Sequence, residues 1–515
     1  MEPDARLQDF LQPLRVDSDV VHRLSEGLLA AFRTLAAEDK HQFLPTPISE
    51  SILRPVSKTG HGRHLAIDIG GTNLRVGFIE LSGKDVANGT SNGNGDSTSS
   101  SSPKVARLKE RSWPIANHIK NADVASLFDW VGECIATVVA EGTREWNLSV
   151  DRDIPLGITF SFPMIQHSLS EAALMAMGKG FIVEGNPELS PLVLDGYRKA
   201  RGALPPIKIV AIANDSVSTL VSFIYAHGET PTRKACMGLI VGTGCNATVP
   251  LELRLLHKSK RPQVVSLLPG ESLDQLRIAV NTEWSINGSA PPLRDLGLIT
   301  RWDDILDRAG EIPGFQPLEY MTSGRYLGEL GRLMLIDYLE NILGLPPTSF
   351  PPAITQRHGI STTFLSHLRP LDPGLLASLE AELPPTPGIP FAWTSEIAAA
   401  LCHITKAIQV RAAGIVSAGI VALLKLAGDF PSGPPTPGAN GVHPIRELGV
   451  GYTGGCIAHF QDYLEDTERF LAELVRINLG PDAPFKIILT PCHDGGIKGA
   501  GILAAAAEES QDTQV

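Results

Sequence analysis

The sequence predicts an α/β protein built as two similar lobes that face one another across a cleft. Two observations carry this. Strand-like stretches alternate with helical ones along the 515 residues, which is the pattern of sheets covered by helices. One unit, an apolar strand, a glycine turn and a second apolar strand, also occurs twice, at 64–81 (HLAIDIGGTNLRVGFIEL) and 237–253 (MGLIVGTGCNATVPLEL). Such a duplication suggests two related lobes, and the cleft between lobes is a usual place for a ligand. Composition agrees: 43% hydrophobic residues can form cores, and 49 glycines with few aromatics point to close backbone approach, as around a ligand.

The elements follow in order. Over 18–40, Val20, Val21, Leu24, Leu28, Leu29 and Phe32 share one helical face, and a proline-containing connector follows to about residue 60. Leu65, Ile67 and Ile69 alternate with Ala66 and Asp68, the period of a strand. The Ser/Asn/Gly tract at 83–103 cannot pack, so a disordered insertion is expected over about 83–105. LGITFSFP (156–163) and IKIVAIAND (207–215) are strands, and 216–227 is helical. Residues 313–342 and 392–428 are mostly helical, with proline-rich loops expected at 345–390 and 430–444. KIILT (486–490) is a strand, and a glycine-rich turn enters a helix over 493–509. The chain divides into an N-terminal half, 1–225, read as the N-terminal helix plus the small lobe. A C-terminal half, 226–508, is the large lobe, and 509–515 is a tail.

A net charge of −12 gives no general attraction to nucleic acid or anionic membranes. The cysteines at 134, 236, 245, 402, 456 and 492 form no C-x-x-C, so neither a disulfide framework nor a zinc site is expected. The apolar run Ala412–Leu424 is too short for a membrane span and reads as a buried helix. The first residues lack the pattern of a signal peptide, and a cytoplasmic protein is expected.

Four stretches carry chemistry. In D-I-G-G-T-N (68–73), Gly70 and Gly71 allow close backbone approach, and Thr72 and Asn73 add donors, so the turn suits an anion. Asp68 would hold a magnesium ion through water, and Arg75 would reach a phosphate. G-T-G-C-N-A (242–247), with Gly242, Thr243 and Gly244, has the same physics. For each, an ordinary hairpin turn remains the alternative. Asn214-Asp215 at a strand end is either a helix N-cap or a carboxylate base at a cleft edge. D-G-G-I-K-G-A-G (494–501) opens a helix, either for an anion or for close packing.

In this order, these stretches resemble the hexokinase family, of the actin-like ATPase (ribonuclease-H-like) fold, over about residues 18–508. LAIDIGGTNLRV and GLIVGTGCNA resemble its two phosphate motifs, and AIANDSVSTL the segment with its catalytic aspartate. LGITFSFP with GKGF (178–181), VNTEW (280–284) and PGFQPLEYMTSGRYLGE (313–329) resemble its sugar-binding stretches. RAAGIVSAGIVALL (411–424) resembles a helix of its adenosine region. The resemblance implies transfer of the γ-phosphate of ATP, with Mg²⁺, to the 6-hydroxyl of a hexose such as glucose. Asp215 would be the base, with Ser161, Phe162, Lys179, Asn214, Asn246, Gln316, Glu283 and Glu319 around the sugar. Asp68, Gly70, Gly71, Thr72, Asn73, Arg75, Gly242, Thr243 and Gly244 would serve phosphates and magnesium. Thr453, Gly454, Gly455, Asp494, Gly495 and Gly496 would serve the nucleotide.

The pattern breaks in places. Met177-Gly178 stands for the family's Trp-Thr, and 285–288 differs beside Glu283. Gly455 and Gly496 stand where hydroxyl residues are expected, and Ile497 stands for a glycine. The nucleotide side is therefore eroded more than the sugar side. This leaves an alternative: a catalytically weak or inactive glucose-binding regulator acting through a protein partner. The discriminating feature is whether Ile497 and Thr453 line an open nucleotide pocket or block it.

Overall fold

The computed structural model describes residues 4–53, 62–82, 104–120, 123–175, 185–227, 230–267, 276–431, 433, 445–508 and 510–514. Lys179 with Met177-Gly178, the tract 83–103 and nearly all of 432–444 lie outside the described residues. In chain order the strands are β1 (Leu44–Ser49), β2 (Gly62–Ile69), β3 (Asn73–Ser82), β4 (Lys104–Pro114), β5 (Ile154–Phe160), β6 (Met164–Ser168), β7 (Glu171–Leu174) and β8 (Ile207–Asn214). They continue with β9 (Arg233–Val241), β10 (Cys245–Glu252), β11 (Val264–Leu267), β12 (Arg277–Asn281), β13 (Glu447–Thr453), β14 (Lys486–Pro491) and β15 (Gln511–Gln514).

The small-lobe sheet runs β4-β3-β2-β5-β8. β2, β3 and β4 pair antiparallel, and β5 and β8 add in parallel. Parallel neighbours need long crossovers, which here carry the helices Val124–Trp146 and Leu189–Ala200. The period-2 pattern gives the sheet two different faces. Leu65, Ile67, Ile69, Val76, Phe78, Ile158 and Phe160 form the core beneath those helices. Ala66, Ala211 and Ala213 point the other way, against the helices Asp215–His227 and Gly495–Ala507. Small residues let that layer come close: a Cβ on Gly157 would lie 2.0 Å from the Ala500 carbonyl oxygen.

The large-lobe sheet runs β14-β13-β9-β10-β12-β1-β11-β15. Its helical layer is organised around the helix Ser395–Leu426, which contains the apolar run read as a buried helix. Ser18–Glu38 and Tyr463–Leu479 pack along it. The helix is long and apolar enough to cross a membrane, but 89% of its apolar window is buried inside the protein, as an all-round apolar core helix should be. Arg411, fully buried in it, donates to both carboxylate oxygens of Asp303 at 2.7 and 2.8 Å and to the Leu298 carbonyl at 2.9 Å.

Several expectations change. The N-terminal helix does not join the small lobe: Ser18–Glu38 and β1 are parts of the large lobe, where β1 pairs with β11 and β12. Conversely, the late helix Gly495–Ala507 covers the small-lobe sheet. The insertion ends at 103, because Lys104 and Val105 begin β4 in register with Ser82 and Leu81. The 345–390 stretch is not only loop. It contains Pro352–Thr355, Thr362–His367 and Leu375–Glu382 as short helices, since proline is tolerated in a first helical turn. The segment 509–515 supplies β15, antiparallel to β11.

Candidate active site

The two glycine turns meet at the cleft. In the β2–β3 hairpin, Asp68 and Arg75 face one another in register. Arg75 Nη2 donates to Asp68 Oδ2 at 2.7 Å, and Nη1 donates to Asp494 Oδ1 at 2.8 Å. Burial pushes the Asp68 carboxyl up to about 6; Arg75 opposes this, and the charge of Asp215 adds to it. Asp494 sits in the left-handed region at φ 60° and also pairs with Arg107 at 3.1 Å. In the β9–β10 hairpin, the Gly242 carbonyl accepts from Gly324 N–H at 2.7 Å, and Thr243 from Arg325 N–H at 3.3 Å. Gly454, at φ 125°, is forced by packing: a Cβ there would lie 2.2 Å from the Val241 carbonyl oxygen.

β8 ends at Asn214, and Asp215 opens the Asp215–His227 helix. Capping and a place at the cleft are compatible for this pair. Asn214 Oδ1 and Asp215 Oδ1 each accept from Ser216 N–H, at 3.0 and 2.9 Å, which is capping. Asp215 nonetheless lines the cleft, between the two turns.

A carboxamide–carboxylate ring lies beside it. Asn246 Nδ2 donates to Asn281 Oδ1 at 2.8 Å and to Glu283 Oε1 at 3.2 Å, and Asn281 Nδ2 donates to Glu283 Oε1 at 2.9 Å. Glu283 is held at φ 43°, a strained conformation for a side-chain-bearing residue. Gln42 fixes it from outside: its Nε2 donates to the Glu283 carbonyl at 2.9 Å, and its Oε1 accepts from Gly288 N–H at 2.9 Å. The divergent 285–288 loop is thus tied to Glu283 through a residue of the N-terminal connector. Glu319, on the Pro317–Thr322 helix, accepts from Cys245 N–H at 3.0 Å.

One cleft of about 510 Å³ is lined by Ser161, Phe162, Asn214, Asp215, Asn246, Glu283, Gln316 and Glu319 together with Gly71, Thr72, Arg75, Gly242, Thr243, Gly244, Gly454 and Gly455. The Phe162 ring itself is buried and packs on Phe160 at 5.2 Å. A smaller cavity of about 310 Å³ shares Thr72, Arg75, Ser161 and Asp215 with the cleft and adds Asp68, Gly70, Asn73, Thr219, Thr453 and Gly496. Two carboxylates and three threonines offer hard oxygen donors there, which fits Mg²⁺ arriving with substrate phosphates. Among the described residues no cluster of three or more His, Cys, Asp or Glu forms a dedicated metal cage.

Asp494 and Gly495 line neither cavity. Asp494 anchors Arg75, and Gly495 packs on Thr219. Gly496 is also more than a missing hydroxyl, since a Cβ there would lie 2.6 Å from Asp68 Oδ2. Ile497 does not enter the cleft: it is fully buried in the small-lobe core with Ala66, Ala213 and Val217. Beyond the phosphate turns, a further pocket shares Thr72, Gly242, Thr243 and Gly455 with the cleft and continues past Thr362, Thr363, Ser366, His459 and Phe460. No motif in the sequence marks this pocket, Gln42 or Asn281 as part of the site. Asn281 stood within the quoted VNTEW stretch and was the one signal available.

A hexokinase family model matches residues 236–506, and a second hexokinase model matches residues 6–225. The chain is 26% identical to Hexokinase-5 of Oryza sativa subsp. japonica over 506 residues, 98% of this chain and 89% of that protein. It is 30% identical to Hexokinase-2 of Homo sapiens over 98% of this chain and 48% of that protein, about half its length. Among solved structures, a hexokinase from Schistosoma mansoni complexed with glucose superposes with a TM-score of 0.73 at 24% identity, covering 97% of this chain and 98% of that one. This likeness bears on the fold, a two-lobed α/β architecture of the hexokinase type.

Proposed function

The chain belongs to the hexokinase family, and from that premise we propose that it transfers the γ-phosphoryl group of ATP to the 6-hydroxyl of a hexose, glucose first among them. One observation carries the reading: Asp215 opens a helix where the Asn246–Asn281–Glu283 ring meets both glycine turns. Sugar hydroxyls both donate and accept, so the carboxamides and carboxylates of Asn214, Asn246, Glu283 and Glu319 suit them. Asp215 accepts the proton of the attacking hydroxyl. That oxygen forms a bond to the γ-phosphorus as the bond from phosphorus to the bridging oxygen breaks, and ADP carries the bridging oxygen away.

The backbone N–H groups of the two turns and the Arg75 guanidinium meet the charge spread over the phosphate oxygens. Asp68, with Thr72, Thr219 and Thr453, is the group that would hold Mg²⁺, which supplies charge neutralisation on the phosphates when bound, leaving Asp215 to accept the proton. Closure of the lobes would exclude water, the competing acceptor. The place of the departures favours this reading over the regulator: Ile497 is packed away from the cleft, Thr453 lines the small cavity without closing it, and the pocket past Thr362 is open.

The test is a coupled assay of ADP formation with glucose and Mg·ATP. Asp215→Ala should lower kcat by roughly 10²–10⁴-fold while calorimetric glucose binding stays within about two-fold, since the ring of partners is left in place. A wild-type chain that binds glucose and forms no sugar phosphate would replace this reading with the regulator.

A further inference from the structure

We propose, resting on the reading above that the Asn246–Asn281–Glu283 ring receives the sugar, that Lys260 is a positioning residue for that ring: its ammonium ties the end of the Ser18–Glu38 helix to the Gln42 carbonyl, and Gln42 passes the hold on to Glu283. Lys260 is not among the residues that line the cleft, so it acts through another side chain. It closes a one-turn helix, Lys258–Lys260, between β10 and β11. Its Nζ donates to three backbone carbonyls, those of Leu35 at 3.0 Å, Ala36 at 3.2 Å and Gln42 at 2.9 Å. That occupies all three donors of an ammonium. Leu35 and Ala36 belong to the last turn of the Ser18–Glu38 helix, whose carbonyl end favours a cation.

The turn that Lys260 holds is strained, and it supports a strained residue of the ring. Phe43, next to Gln42, sits in the left-handed region at φ 52°, and Glu283 at φ 43°. Phe43 N–H donates to the Thr282 carbonyl at 2.9 Å, so the two strained segments are joined side by side. Such conformations persist only where the surroundings over-determine them. Gln42, fully buried, makes the second join. Its N–H donates to Asp39 Oδ1 at 2.8 Å, and its side chain spans the Glu283 carbonyl and the Gly288 N–H. Its own carbonyl is left for Lys260. Gly288 rests on the same supports: a Cβ there would lie 2.2 Å from Gln42 Oε1 and 2.4 Å from Leu35 Cδ2. A shift of the Gln42 backbone would therefore break one of these bonds or move the Glu283 loop with it.

The charge on Lys260 adds a pH dependence to this geometry. Burial pushes its ammonium down to about 8, and the carboxylate of Asp39, which ends the Ser18–Glu38 helix and holds the same turn, opposes this. Below that pH the ammonium meets all three carbonyls. Above it the neutral amine has two donors for three acceptors, and the bonds lose their charge-assisted strength. The hold on Gln42 weakens as pH rises through about 8.

The experiment is calorimetric glucose binding to the full chain at pH 7 and pH 9, comparing wild type with Lys260→Met, Lys260→Arg, Gln42→Ala and the double variant Lys260→Met with Gln42→Ala. At pH 7, Lys260→Met should weaken glucose by about five-fold. Added to Gln42→Ala it should cost less than about two-fold more, because both changes act on one contact. Lys260→Arg, charged at both pH values, should stay within about two-fold of wild type at pH 7. It should keep that affinity at pH 9, where wild type should lose about two- to three-fold. In the coupled assay, Lys260→Met should raise the KM for glucose and leave the KM for Mg·ATP within about two-fold. The proposal is overturned if Lys260→Met binds glucose as wild type does, if its loss adds in full to that of Gln42→Ala, or if Lys260→Arg does not restore binding. A KM for Mg·ATP that rises as much as that for glucose also overturns it, since that marks a general loosening. If Lys260→Met does not fold, wild type and Lys260→Arg decide: equal pH responses in the two overturn the proposal. A wild-type chain that binds no glucose removes the reading of the sugar site and this role with it; one that binds glucose with Lys260 indifferent removes the positioning role alone.

Discussion

A single added carbon separates the fates of the two glycines that stand where hydroxyl residues were expected. At Gly496 a Cβ would lie 2.6 Å from Asp68 Oδ2; at Gly455 the nearest atom, His459 Cδ2, is 3.9 Å away. Gly496→Ser should therefore lower the unfolding free energy by about 1–3 kcal/mol, read by urea denaturation. Gly455→Ser should change it by less than about 0.5 kcal/mol. A glycine in a motif can mark a close approach or a lost group, and sequence alone does not separate these. Asp68 has a pH signature of its own. Its carboxyl is raised from 3.8 to about 6, mainly by burial. The neutral acid is thus favoured in the folded state. The stability it contributes is fully present below about pH 4 and is lost as pH rises through about 6, of order 3 kcal/mol. Asp68→Asn should flatten the dependence of stability on pH between 4 and 7. It should also reduce phosphoryl transfer at pH 7, where the wild-type side chain is ionised.

At the scale of elements, the strand ends were legible and their supports were not. Gly70-Gly71 and Gly242–Gly244 mark hairpins at strand ends, and Asn214-Asp215 marks a strand passing into a helix, so residues far apart in sequence were assigned to one cleft. Backbone freedom and capping chemistry are local, and local signals survive in sequence. Gln42 carried no such signal. It lies in a connector without periodicity, and its value comes from Glu283 and Gly288, more than 240 residues away. Nor did the short helices of 345–390, which are fixed by tertiary contact more than by propensity. Gln42→Ala removes both contacts with the Glu283 loop and should weaken glucose binding by roughly ten-fold without touching the sugar. Unchanged calorimetry would show that the strained Glu283 holds without it. Beside the central helix, on the helix Arg301–Arg308, Asp303→Ala would leave the Arg411 charge buried without its carboxylate, and should cost about 3–5 kcal/mol in urea unfolding with little change in glucose affinity at permissive temperature.

For the whole molecule, the two lobes face a common cleft lined from both sides, and closure over a sugar should bring them together. Glucose should lower the radius of gyration measured by small-angle X-ray scattering; an identical curve with saturating glucose would count against closure. The route of the chain sets how that motion is transmitted. It passes from β1 in the large lobe to β2 in the small one, and returns at β9. It leaves β14 for the Gly495–Ala507 helix on the small lobe, and returns again as β15 beside β11. The two halves matched by separate family models are therefore not two folding units. Each supplies parts the other lacks: residues before 50 complete the sheet that holds β9 and β10, and the last helix seals the Ala66 face. Expressed apart, the halves would expose these surfaces and associate or aggregate. Co-expressed as separate chains divided near residue 230, they should reassemble into a glucose-binding protein, with the break in covalent continuity bridged by the interlocked layers.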